Sequence, residues 1–442
     1  MEMDSNYFGT ERISKILFKI APPVMLAQLI QALYNIVDSF FVGNYSEEGL
    51  TALSIIYPLQ LLLTALAVGT GVGINTSVSF SLGTKNYKKA EETSGMSAPI
   101  ALVSWILFAI ISFFIMPAYA RMSTNSEVVI REVITYGRII GVCSIGLYTE
   151  SCWTKVLQAY GDMKTPMIAQ VVGALVNIIL DPILIFGLLG LPKMGIAGAA
   201  IATVAGQIIA ALIVMPKGYK KTPSINKYPK GVLRIYKLGA PNIIMQSTYT
   251  FYILGLNLIL ATFSDQAVTA LGLYYKWQTF FIIPLMAFQT CIVPVIGFNY
   301  ASKKIDRCKK TLIESTLAGM GIMLIGIFCF AVIPEQLLRV FTKDPEVIAI
   351  GIHEFRVICI SFIPLVTSLI FPVFFQAVGY GVRSSLLTLI RTVGLIVPLG
   401  YLFAKFGLNY FWYTFPVTEI ITTIIGILFY ISFIKQEKKR LI

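Results

Sequence analysis

Apolar runs long enough to cross a lipid bilayer recur twelve times along this 442-residue chain, and the stretches between them are short. A span needs about 20 apolar residues, and the runs cover roughly 16–43, 51–81, 95–119, 128–158, 166–189, 194–215, 235–262, 267–299, 312–333, 346–377, 384–404 and 410–434. Several exceed the bilayer thickness, which calls for tilt or for extension beyond the lipid. Charged residues make up only 13% of the chain, about half the share usual in a soluble domain. That polar surface cannot cover one or two soluble domains of this size. A soluble enzyme, a DNA-binding protein and a disordered chain are thereby excluded. The expected fold is all-α, an integral membrane protein of twelve transmembrane helices.

The net charge of +13 would suit nucleic acid, but its placement marks topology. Of the Lys and Arg in loops and at span ends, 24 fall on one side of the expected membrane and 5 on the other. The positive-inside rule then puts both termini in the cytoplasm of a multi-pass cell-membrane protein. No nucleic-acid partner is expected. Cys143, Cys152, Cys291, Cys308, Cys329 and Cys359 show no CxxC spacing, so buried free thiols are expected rather than a zinc site. The first fifteen residues are polar and the first apolar run is already span-sized, so no cleavable signal peptide is expected.

The longest connection, 217–233, is rich in Pro and Lys and divides six spans from six. One constant offset aligns Lys19 with Lys237, Pro23 with Pro241, Tyr34 with Tyr252, and Thr51-Ala52-Leu53 with Thr269-Ala270-Leu271. The same offset brings Gln158-Ala159 and Gly161 onto Gln376-Ala377 and Gly379. Six spans is an even number, so the second copy enters the membrane from the same side as the first. The expected organisation is an N-terminal six-helix lobe (1–216), a cytoplasmic linker (217–233) and a C-terminal six-helix lobe (234–442). Two such bundles, as parallel repeats around a central cavity, make a transporter plan.

Three segments carry a family likeness: Pro22-Pro23 followed by LAQLIQALYNIVDSFFVG to Gly43, GTGVGINTSVSFSLGTKNYKKA from Gly69, and LQAYGDMKTPM (157–167) running into VNIILDPILIFG (176–187) and MGIAGAAIAT (194–203). Together these resemble the multidrug and toxic compound extrusion (MATE) family, in its DinF-like bacterial branch. The resemblance implies two six-helix lobes and export of bulky, often cationic organic compounds against inward sodium or protons.

A charged side chain at the bilayer centre costs about 2.5–3.5 kcal/mol on insertion scales, so each one needs a reason. At about 1.5 Å of rise per residue, Asp38 lies about 10 Å below the outer end of its span, and Asp181 lies at a similar depth. Asn177 is one turn from Asp181 on the same face, and Thr203 reaches the same layer. Two carboxylates, an amide and a hydroxyl without a basic partner make an oxygen-rich cage suited to sodium or a proton. The resemblance implies the same role for these four positions, and the Ala199 carbonyl, one turn before Thr203, can add to them. The bland alternative is that Asp181-Pro182 caps a broken helix and Asp38 bonds backbone freed by Pro22-Pro23. Against it, Asp38 aligns with Leu256 in the second copy, so the carboxylate is no packing requirement of the repeat. Gln31 and Tyr34 precede Asp38 on its face and are expected to line the substrate cavity. Glu150, with Lys155 nearby, is either half of a local salt bridge or a contact for cationic substrates.

In the second half, Lys276, Arg391 and Glu419 all fall near the midplane by helical rise. They form either an ion-pair brace or a coupling site. Spans 7 and 8 carry no acid apart from the loop residue Asp265, and span 10 carries only Glu354, near its outer end. A cation site built on acids in spans 7 and 10 is therefore not expected. His353, at an outer helix end, is expected to make an interfacial hydrogen bond. The GxGxG at 69–73 lies inside an apolar span with no strand before it, so it reads as helix packing. No Walker A lysine, HExxH or GxSxG occurs, so neither ATP-driven transport nor an enzyme is expected. The leading expectation is a monomeric, cofactor-free antiporter that exports small organic compounds against Na+ or H+. The runner-up is a flippase for lipid-linked precursors, which would need a basic cavity where the first half is acidic.

Overall fold

The computed structural model describes residues 7–441. Among them the regular elements are all helical, and eleven helical stretches are long and apolar enough to cross a membrane. The twelfth expected span is carried by two shorter helices, Glu127–Val142 and Ile145–Ala159. They part at Cys143 and Ser144, where the Ser144 hydroxyl donates to the Gly141 carbonyl at 2.8 Å. That bond competes for the acceptor that the amide of Ile145 would use to continue the helix.

The duplication read from sequence is visible in the backbone. Glu47–Gly83 and Asp265–Ala301 are both 37 residues long, and their first residues stand at the offset that relates Lys19 to Lys237. Each opens on a serine: Ser46 accepts from the Gly49 amide, and Ser264 from the Ala267 amide. This is the side-chain cap that satisfies a first-turn N–H. Each is followed by a lysine in the left-handed region, Lys85 at φ +57° and Lys303 at φ +59°. Glu127–Val142 and Pro345–Ile358 begin at the same offset.

The chain packs as two compact units. Among the described residues, one holds Phe18–Ile243 with the short helix Tyr7–Thr10, and the other holds Glu11–Leu17 with 244–441. The division falls at 243/244, inside the Tyr228–Leu260 helix and beyond the 217–233 linker read from sequence. The glycine-rich stretch explains this. A Cβ on Gly73 would collide with the Ile235 carbonyl oxygen, and one on Gly69 would collide with Ile243 Cγ1. Only glycine permits so close a helix approach. A 2.9 Å hydrogen bond between Ser104 and Tyr236 and an ion pair between Lys227 and Glu92 fix the same segment.

In the second unit the Gly381–Ala404 stretch passes through a π-helical turn at Ile390–Ile396. Such wider turns are rare and tend to occur where a side chain has a special task. Here the turn carries Arg391, whose guanidinium meets Glu419 through bonds of 2.6, 3.0 and 3.1 Å. Glu419 also accepts from the Ser368 hydroxyl. The network expected from sequence loses one member. Lys276 is exposed, and its ammonium lies 5.0 Å from the centre of the Phe341 ring. Helical rise fixes its height but not the direction in which it leans, and the Glu419 oxygens are occupied by Arg391 and Ser368.

Candidate functional site: a carboxylate cage

The four cage residues come from three helices of the first unit, and all are buried: Asp38 on Ile13–Tyr45, Asn177 and Asp181 on Lys164–Phe186, and Thr203 on Ile196–Gly218. The latter two helices approach closely because glycine faces glycine. A Cβ on Gly206 would sit 2.5 Å from the Gly173 carbonyl oxygen. This contact lies one turn from both Asn177 and Thr203 and sets their separation.

The Asn177 amide bridges the two helices. Its nitrogen donates to Asp181 Oδ2 at 3.3 Å and its oxygen accepts from the Thr203 backbone N–H at 3.1 Å, the orientation in which each end faces a complementary group. Asp38 and Asp181 lie within hydrogen-bonding reach of each other, and Asp38 Oδ1 is buried with no protein partner. Two adjacent carboxylates with a vacant oxygen ask for a positive charge between them.

Both parts of the bland alternative fail on geometry. The Lys164–Phe186 helix continues through Asp181-Pro182 and ends at Gly187, at φ +74°, so Asp181 caps nothing. Asp38 lies about 20 Å along its helix from Pro22-Pro23 at helical rise, too far to bond the backbone freed there. Ala199 packs its methyl into an apolar cluster with Val42, Ile185 and Val204.

A cavity of about 90 Å³ opens beside the cage, with room for several waters. Asn177 and Thr203 line it, as do Gln31, Tyr34 and Glu150. The structure therefore brings together the expected cage and the expected substrate residues. Glu150 is buried and accepts from the Thr154 hydroxyl at 2.7 Å, while Lys155 donates to Gln158 Oε1 at 2.9 Å. No Lys or Arg is among the lining residues.

Three contributors were missed in the sequence. Gln170 and Gln207 also line the cavity, and helical spacing marks both: Gln170 is two turns before Asn177, and Gln207 is one turn after Thr203. Tyr136 is buried near Asp38, Asp181 and Tyr34, and accepts from Gln60 Nε2 at 3.0 Å. It comes from a helix distant in sequence, so no local pattern announces it. Away from the cage, His353 bonds the Asn409 carbonyl oxygen at 3.2 Å.

Comparison with known proteins agrees with this architecture. The MatE family model matches residues 23–183 and again 241–402, two starts that stand at the offset of the internal repeat. Curated relatives include the multidrug export protein MepA of Staphylococcus haemolyticus, 26% identical over 91% of this chain and 90% of that one. Another is the FAD transporter of Shewanella oneidensis, 25% identical over 88% of each. Among solved structures, an outward-facing multidrug resistance MATE family transporter of the MOP superfamily superposes with a TM-score of 0.93 at 21% identity, over 99% of this chain and 100% of that one. A MOP superfamily transporter from Pyrococcus furiosus, described as having a binding pocket of reverse polarity, gives 0.91 at 20% identity over 99% of each. At such identities the structural likeness shows the fold. The family model covers most of both halves, and on that ground the chain belongs to the MatE family of multi-pass membrane transporters and is not an enzyme.

Proposed function

We propose that this protein is a cation-coupled antiporter that exports organic cationic or amphiphilic compounds, drugs among them, by alternating access. The observation that carries this reading is a cavity lined both by Asn177 and Thr203 of the cage and by Glu150, with no Lys or Arg among the lining residues. A small cation at Asp38 and Asp181 and a cationic compound against Glu150 answer to the same negative field. Loading one weakens the hold on the other, which is the exchange an antiporter needs. Moving one elementary charge through the membrane is worth about 2.3 kcal/mol per 100 mV. That supports an export ratio of about fifty, before any ion gradient is added.

The relatives named as multidrug export proteins support drugs as cargo, and the acidic lining supports the cationic ones among them. An anionic cargo such as that of the relative named FAD transporter would meet no basic side chain among the lining residues here. A proton does not require the neutral oxygens gathered here, the Thr203 hydroxyl and the second lone pair of the Asn177 oxygen beside its bond to the Thr203 N–H, and these favour sodium as coupling ion, with protons competing at the same carboxylates. The main-chain carbonyl is the group Ala199 would offer. The presence of Asp38, Asn177, Asp181 and Thr203 together, all buried in the first unit, supports the DinF-like branch. The charge asymmetry of the loops supports a cell-membrane protein with both termini in the cytoplasm. One chain supplies both repeats, which supports a monomer.

Glu150→Gln is expected to lower efflux of a monovalent cationic dye about tenfold, the scale of one lost charge-assisted contact, and to leave a neutral amphiphile unaffected. Dye release from proteoliposomes measures both. Equal loss for the two probes would assign Glu150 to packing.

A further inference from the structure

We propose that a basic cavity at one end of the second unit binds the headgroup of an anionic phospholipid. The cavity holds about 450 Å³, inside the usual range of about 300–1,000 Å³ for small-ligand sites. Residues 303–309, where Asp265–Ala301 gives way to Ile305–Val332, form one wall, and the closing turns of Thr414–Leu441 form the other. Lys303, Lys304, Arg307, Lys309 and Lys438 line it, against two acids, Asp306 and Glu437. Glu437 accepts from the Tyr300 and Tyr380 hydroxyls, each at 3.1 Å. The Asp306 side chain is 99% exposed and stands 3.5 Å from Lys309, an ion pair in water that is worth little. The cavity shares no residue with the one beside the cage.

Helix stability does not call for this clustering. Cations at a helix start oppose its macrodipole, whose positive end prefers an anion. Lys304 holds the cap position of Ile305–Val332 and has no acceptor to offer, so that helix has no side-chain cap. The repeat shows that the loop can be built otherwise. In the first copy the matching residue, Asn86, caps Tyr87–Gly95 by accepting from the Lys89 amide. Glu91 and Glu92 there stand where the second copy has Lys309 and Lys310, and Glu92 pairs with Lys227. One copy balances part of its basic loop with acids. The other gathers cations around a cavity, where a bound phosphate offsets their mutual repulsion.

A lipid, rather than a free phosphate, follows from what adjoins the cavity. Lys309 lies about 5 Å outside the apolar run that begins at residue 312, at the depth of the headgroups. Ile313 and Leu317 continue its helix face in steps of four and are 55% and 62% exposed, a track along which an acyl chain can lie. Arg307 is fixed by Asn299 Oδ1 at 3.0 Å and by the Glu11 carbonyl oxygen at 2.6 Å, so its guanidinium is a set wall of the cavity. In the orientation proposed above this end faces the cytoplasm, the side on which basic pockets at helix ends take anionic headgroups.

The test uses the full-length purified protein in detergent micelles. Its melting midpoint is followed against added phosphatidylglycerol, phosphatidylcholine or inorganic phosphate. Phosphatidylglycerol is expected to give a saturable rise of about 2–4 °C, and the other two none. Lys303→Gln/Lys309→Gln/Lys438→Gln should weaken the apparent affinity for phosphatidylglycerol about a hundredfold, the combined effect of three charges near the membrane surface. Lys85→Gln/Lys88→Gln/Lys89→Gln removes as many charges from the matching loop of the first copy and is expected to leave that affinity unchanged. Lys303→Arg/Lys309→Arg/Lys438→Arg keeps the charge and is expected to keep the response, which covers the case of a Gln variant that fails to fold. An equal response to phosphatidylcholine, an equal loss in the two Gln triples, or an unchanged affinity in the cavity triple would overturn the proposal. A rise with inorganic phosphate alone would overturn it too, by giving the cavity to a free anion. Efflux enters none of these readouts, so the result is independent of the antiport reading.

Discussion

Asp38→Asn and Asp181→Asn are each expected to abolish gradient-driven efflux in a protein that still inserts and melts no earlier than wild type. Both carboxylates are buried, 8% and 0% exposed, and they lie side by side. Neutralising one removes a like-charge repulsion and a desolvation cost, so folding loses nothing. The coupling charge is lost, and with it the roughly fifty-fold concentrating power of one charge at 100 mV. Dye efflux from proteoliposomes, with thermal denaturation in detergent, checks both halves. Wild-type pumping by either variant would remove the cage from the mechanism.

The largest effect on stability is expected at the Arg391–Glu419 pair. Their side chains are 12% and 2% exposed, and Glu419→Gln leaves a buried guanidinium without its counter-charge. Breaking such a pair by removing one partner costs about 3–5 kcal/mol. Adding Arg391→Met should recover most of that loss, since the pair is then replaced by apolar packing. Lys276→Gln should recover none, because that ammonium lies against Phe341. Thermal denaturation of the single and double variants measures this, and a rescue by Lys276→Gln larger than that by Arg391→Met would restore the three-member network.

Features encoded along one helix are legible in the sequence. The spans follow from apolar length, the repeat from a constant offset, and the Asn177–Asp181 face from a spacing of four. What crosses between helices is not. Lys276, Arg391 and Glu419 share a depth, but depth carries no azimuth, so the lysine is drawn into a pair it does not join. Tyr136 reaches the cage through tertiary packing alone. Glu354 reads as near the outer end of its span yet is 0% exposed, because distance from a helix end says nothing about the helices that cover it. The Gly-rich motif reads as packing in sequence and in structure, yet its partner, the 235–243 stretch beyond the linker, is visible only in three dimensions.

Exchange of a cation for substrate at the cage is measured by uphill transport in proteoliposomes. A sodium gradient is imposed at equal pH, then a proton gradient at equal sodium, and substrate accumulation is followed for wild type and for Asn177→Ala/Thr203→Ala. Wild type is expected to accumulate substrate under the sodium gradient, and the double variant to lose sodium-driven accumulation far more than proton-driven accumulation. No gradient-driven accumulation by wild type, or undiminished sodium-driven accumulation by the double variant, would contradict exchange at the cage.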